Sequence, residues 1–237
     1  MQNRITIFIL SSILIIVFQL FQVRSGKKEI KHPAPSSFNY WITGIALLFI
    51  LKLIVCDIIL IKDEAFLSAD DYSRMNYIAN WARSPYFSHG NHVWPSGHFW
   101  VLGFIVRSFF QDIELAIILT SLISGLLALM FLGLFTWSLT RNIRAAMWSI
   151  LLFAAFPLHT WLSVSGLVDI HYWMLLLAGA WLYSEHIRNK KKIYVFVTLA
   201  FLMWGISASL RYEAWIFKTL FCAVFVVYEI FLNTDDI

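Results

Sequence analysis

Charge is scarce in this chain. Asp, Glu, Lys and Arg make up 14% of its 237 residues, against 60% hydrophobic residues and a mean hydropathy of +0.73. A water-soluble domain of this length needs more polar surface than that, and no polar stretch is long enough to fold alone. Alternation of apolar with polar residues is missing as well. The apolar runs are continuous and about 20 residues long, the length that crosses a bilayer as a helix, which argues against a membrane barrel. Cysteine is limited to Cys56 and Cys222. Both fall inside apolar runs, where they read as small buried hydrophobes and carry no redox signal. No internal repeat of fixed period is visible. No small-residue cleavage site follows the first apolar run, so it reads as a span or an uncleaved signal anchor.

What is present is a series of seven candidate spans: Ile5–Val23, Tyr40–Ile61, Ile113–Leu139, Ala145–Trp161, Leu167–Tyr183, Ile193–Leu210 and Ala214–Leu232. Aromatics, 11 Trp among them, are abundant, and many sit near the ends of these runs, where amphipathic rings favour the interface. The expected fold is an all-α polytopic membrane protein, a bundle of transmembrane helices with an external loop carrying interfacial helices.

The net charge of +4 is an orientation signal rather than a mark of nucleic-acid binding, because the basic residues cluster in short loops beside spans. Arg24, Lys27, Lys28 and Lys31 form one such loop, Arg141 and Arg144 a second, and Arg188, Lys190, Lys191 and Lys192 a third. With the spans above, all three fall on one side, the cytoplasm. The N-terminus then lies outside and the acidic tail, Asn233–Ile237, inside. Phe99–Phe110 is apolar but too short to span, and counting it would put the later basic loops outside. It is expected to be an interfacial or re-entrant helix, which makes Lys62–Asp112 one long external loop. Residues 1–39 then form an extra N-terminal span with its basic loop, and residues 40–237 a transmembrane module that includes external loop 62–112.

Three polar clusters share the outer side: Asp70-Asp71, Ser163 to His171, and Arg211-Tyr212-Glu213. Helix bundles build sites from the ends of several spans in this way. Ser68 with Asp71 matches a capping box, so an amphipathic surface helix is expected from here to Ser84-Pro85, with Met75, Ile78 and Trp81 at helical spacing. The two acids serve either that cap and the helix dipole or general-base chemistry at the membrane surface. His89, His92 and His98 lie in a turn-rich loop with no accompanying cysteine and no zinc spacing. They are expected to shape a cavity and to hydrogen-bond a polar ligand rather than to hold a metal. Arg211 and Glu213 either mark a binding site for an anion, which a planar guanidinium suits, or merely occupy the headgroup zone. Asp169 and His171 sit in a loop where polar residues often carry no chemistry. Lys52 and Asp57 in the second span, with Lys218 in the seventh, should pair inside the bundle or line a cavity.

The order of these features resembles the GT-C superfamily of membrane glycosyltransferases, and within it the dolichyl-phosphate-mannose–protein mannosyltransferase-like branch. The resemblance runs from about Tyr40 to Leu232. Asp70-Asp71 stands where that family has an acidic pair, and His92-Val93-Trp94-Pro95-Ser96-Gly97 where it has a Pro-rich turn before an interfacial helix. Asp169 falls where many members have an Asp, and Ser209-Leu210-Arg211-Tyr212-Glu213-Ala214-Trp215 is similar to an Arg-Tyr-Glu stretch of some branches. The chain departs from the pattern by having one span fewer than the shared core and by stopping at Ile237, so a fragment, a split gene product or a degenerate copy of such a protein is expected.

The resemblance implies an inverting transfer of a sugar from a polyprenyl-phosphate donor to an acceptor on the outer face, in the inner membrane of a bacterium. Asp70, or in second place Asp71, is then the general base that takes the acceptor's proton. Arg211 is the cation that stabilises the leaving phosphate. Tyr212, Glu213, Asp169, His92 and His98 bind or orient substrate. The scheme needs no metal and no cofactor; its partners are the lipid-linked sugar, an acceptor and the bilayer, with no nucleic acid. Two other classes are weighed beside it. A transporter or lipid-binding protein would use the intramembrane charges, but no inverted repeat is present. A non-catalytic or truncated membrane protein would account for the short chain.

Overall fold

The structure is a computed structural model that describes residues 35–62, 65, 68–87, 94–110, 112–188 and 194–227. Among these residues every regular element is a helix. In chain order they are α1 (Pro35–Ile61), α2 (Ala69–Arg83), α3 (Gly97–Phe109), α4 (Ile113–Thr140), α5 (Ile143–Ala155), α6 (Pro157–Leu162), α7 (Asp169–Arg188), α8 (Tyr194–Leu210) and α9 (Glu213–Val227). The all-α class is therefore as expected. The expected span Ile5–Val23, the histidines His89 and His92, and the acidic tail lie outside the described residues.

Helix α4 is the one described helix long and apolar enough to cross a membrane; α5 and α8 are shorter apolar helices. The short helices have local causes. The expected span Ala145–Trp161 is broken in two at Phe156-Pro157. Pro157 has no N–H to donate and disfavours helical geometry in the residue before it, and Phe156 turns to φ −71°, ψ 115°. The Thr160 hydroxyl donates to the Ala154 carbonyl at 3.3 Å, satisfying one group near the break. At 1.5 Å per residue the remaining α5 is about 20 Å long, less than the hydrocarbon thickness of about 30 Å. Helix α7 departs the other way, running past Tyr183 to Arg188 with a Glu185–Arg188 ion pair in its last turn.

The chain divides into two compact units, Met1–Ile58 and Ile59–Ile237. In the first, the described part is α1 up to Ile58, where Lys52 and Cys56 are buried. The second holds the rest. There α4 and α7 run parallel, since Ser124 meets His171 and Phe131 stacks on Trp181. Helices α7 and α8 run antiparallel, with Tyr172 packed on Ala208 at one end and Tyr183 on Ala200 and Trp204 towards the other. Trp204 lies over Gly179, where a Cβ would come within 2.3 Å of the indole nitrogen, and donates to the Leu176 carbonyl at 3.2 Å. Ile78 of α2, Phe99, Leu102 and Val106 of α3, and Ala116 and Ile117 of α4 form one apolar cluster. The α2–α3 pair is thereby held against the start of α4.

This packing gives the second unit two chemically different ends. The guanidinium carbons of Arg141 and Arg188 lie 4.5 and 6.0 Å from the ring centre of Trp137, so α4 and α7 finish at the same end. Ser124 and His171 meet 13 residues earlier along α4, about 20 Å away along the axis. The polar clusters gather around that other end.

Candidate functional site

Helix α2 starts the site. Ser68 is its N-cap: the Asp71 N–H donates to the Ser68 Oγ at 3.2 Å, while the Ser68 N–H and hydroxyl donate to Asp71 Oδ2 at 3.1 and 2.7 Å. This is the expected capping box. It buries Asp71 completely and leaves its Oδ1 without a hydrogen-bond partner among the described residues. Asp70, one position earlier, is exposed. The two acids therefore have different surroundings: Asp71 is committed to the cap, and Asp70 is open to solvent.

The buried face of α2 is Asp71, Arg74, Ile78 and Trp81. A cation thus stands in the stripe that packs inward. Arg74 is 5% exposed, its guanidinium carbon lies 4.7 Å from the ring centre of Trp94, and its Nε and Nη1 have no hydrogen-bond partner among the described residues. Burial pushes its pKa down; Asp169, Asp70 and Asp71 push it back up, with Arg211 opposing them. These interactions place the acid pair, Asp169 and Arg211 within electrostatic reach of one side chain.

Helix α3 brings His98. Its first residue, Gly97, presses on the end of α8 so closely that a Cβ would come within 2.2 Å of the Ser209 Oγ and 2.6 Å of the Ser209 carbonyl oxygen. His98 follows, 1% exposed, with both ring nitrogens unpartnered among the described residues and its ring centre 5.7 Å from that of His171. Burial holds its pKa well below the ordinary value, and His171 and Arg74 lower it further, so the ring is neutral at pH 7. His171 pairs through Nδ1 with the Ser124 hydroxyl at 2.7 Å, and its Nε2 has no partner among the described residues.

Arg211 closes the site after α8. Its Nε donates to Glu213 Oε2 at 3.0 Å and its Nη2 to Glu213 Oε1 at 2.5 Å, while Nη1 donates to Asp169 at the start of α7. Glu213 is held down to about 2, first by the Arg211 hydrogen bonds, and the same bonds raise Arg211. One guanidinium faces two carboxylates here, so the triad is anionic. Tyr212 is exposed and meets Trp215 edge-on at 5.4 Å between ring centres. The Trp215 indole in turn donates to the Ala208 carbonyl at 2.7 Å.

The sequence-predicted residues Asp70, Asp71, His98, Asp169, Arg211 and Glu213 are thus gathered at the end of the unit away from Arg141 and Arg188. Tyr212 lies at the margin, and His92 is outside the described residues. Among the described residues no three His, Cys, Asp or Glu side chains are placed to hold a metal. Sequence reasoning missed Arg74. The signal was available, because Arg74 is in helical register with Ile78 and Trp81, and a cation in an apolar stripe calls for a partner or a ligand.

No family model, curated protein or solved structure matches the chain.

Proposed function

We propose that this chain is a polytopic membrane glycosyltransferase that moves a sugar, with inversion, from a polyprenyl-phosphate donor to an acceptor at the outer membrane face. The observation that carries this reading is the meeting of α2, α3, the start of α7 and the α8–α9 turn in one polar cluster, at the end of the second unit away from Arg141 and Arg188. Four segments, distant in sequence, each contribute ionisable side chains there, and ionisable groups at membrane depth are costly without a use.

In this reading the basic end faces the cytoplasm and the polar cluster the outside. Asp70 is the general base: it is exposed, so an acceptor arriving from water reaches it, and it interacts with Arg74 at the cluster's edge. Asp71 holds the helix that carries Asp70. Asp169 and Glu213, fixed by Arg211, present carboxylate oxygens to sugar hydroxyls. The lipid tail runs along α9, where Trp215, Ile216, Thr219, Leu220 and Ala223 line an open apolar groove of about 530 Å³ starting just past Glu213.

The test is transfer from a polyprenyl-phosphate sugar by the protein in nanodiscs, wild type against Asp70→Asn. Transfer should be abolished in the variant, with expression and membrane insertion unchanged. Unchanged transfer would remove Asp70 from the mechanism.

A further inference from the structure

The charges at the site form a row, of which the first two links are ion pairs. Glu213 pairs with Arg211, Arg211 with Asp169, and Asp169 is the largest charge acting on Arg74. Signs alternate along it, and it ends in a cation. The two arginines differ in what they have left to give. Arg211 already spends three of its five N–H groups on carboxylates that more than balance its charge. Arg74 is more deeply buried, and both Nε and Nη1 are without an acceptor among the described residues. Within electrostatic reach of it is His98, whose two ring nitrogens also have no partner among the described residues. In either tautomer the neutral ring of His98 supplies one N–H donor. Buried donors of this kind are ordinarily paired, and a buried cation more strictly so than any other donor.

We infer that Arg74, assisted by His98, binds the phosphate of the ligand, and that Arg211 is instead a positioning residue for Asp169 and Glu213. The inference deepens the transferase reading and rests on it. An oxyanion beside Arg74 accepts the N–H groups that have no acceptor among the described residues. The planar fork suits two phosphate oxygens, which an ammonium would not match. Charge gathers on that phosphate as the glycosidic bond breaks and its electron pair passes to oxygen, and a buried guanidinium stabilises this without reorganising. Of the two acids on its own helix, Asp70 is exposed, so its charge opposes the phosphate only through water. Asp71 is the weakest of the charges acting on Arg74 and is tied into the Ser68 cap.

The experiment measures binding of sugar-free polyprenyl phosphate, polyprenol and inorganic phosphate to the full chain in nanodiscs. Wild type is compared with Arg74→Ala, Arg74→Lys and Arg211→Ala. Wild type should bind polyprenyl phosphate and not polyprenol. Arg74→Ala should lose at least about tenfold in affinity, the scale of one charge-assisted contact. Arg74→Lys should recover part of the loss, and Arg211→Ala should stay near wild type. Lys at position 74 keeps the charge in a similar volume, so it carries the comparison if the alanine variant fails to fold. Inorganic phosphate bound with the same Arg74 dependence would support the phosphate site and assign it to a free anion. Affinity lost in Arg211→Ala and kept in the Arg74 variants would overturn the assignment and leave the transferase reading standing. Absence of any phosphate binding by wild type would overturn both.

Discussion

Gly97→Ala is a small change with a large expected effect. The methyl group would sit 2.2 Å from the Ser209 hydroxyl oxygen, 2.7 Å from its Cβ and 2.6 Å from its carbonyl oxygen. Rotating the serine relieves only the first of these, because the carbonyl belongs to the last turn of α8. Helix α3 must therefore move away from α8, and His98 moves with it. Overpacking of this kind costs about 1–3 kcal/mol. Thermal or denaturant unfolding in detergent reads that loss directly. Ser209→Gly in the same chain removes the hydroxyl and Cβ contacts but not the carbonyl contact, so the pair should regain only part of the lost stability. A Gly97→Ala protein within about 0.5 kcal/mol of wild type would refute the close α3–α8 contact, and with it the placement of His98.

Other expectations follow from the same geometry. Asp71→Ala removes the acceptor for the Ser68 N–H and hydroxyl and should cost about 1–2 kcal/mol of stability, whereas exposed Asp70→Ala should cost less than about 0.5 kcal/mol. The transfer assay should rank them the other way, with Asp71→Ala retaining activity per folded molecule. Glu213 is held to about 2 from an ordinary 4.5 by Arg211. Its folded pKa is depressed, so its contribution to stability is present above pH 4.5 and is lost as pH falls towards 2. Glu213→Gln should flatten the acid side of a stability–pH profile in that window, and a profile unchanged by the substitution would contradict the Arg211 pairing.

Local features were legible in the sequence and long-range ones only in outline. The capping box at Ser68 and Asp71 and the stop at Ser84-Pro85 involve neighbours a few positions apart, and both stand where the pattern puts them. The short helix after the Pro/Gly turn was legible for the same reason. The break at Pro157 was not, because hydropathy averaged over a span hides one missing N–H and one clashing ring. Loop charge put three polar clusters on one side, and that sidedness anticipated their meeting. It did not reveal which partners they take. Glu213 is two positions from Arg211 and an obvious partner, but Asp169 is 42 positions away and reaches it only through the α7–α8 packing. Arg74 falls outside the expected stripe of Met75, Ile78 and Trp81. The stripe was drawn through Met75, when the face that buries is set by Asp71, Arg74, Ile78 and Trp81.

The proposed function puts the polar cluster at one face of a membrane and Arg141, Arg144 and Arg188 at the other. Labelling by a membrane-impermeant maleimide tests it, in sealed vesicles of known orientation and in a chain whose Cys56 and Cys222 have been replaced by serine. Asp70→Cys and Glu213→Cys should label only from the outer side, and Arg144→Cys only from the cytoplasmic side. Labelling of all three from the same side would contradict the claim.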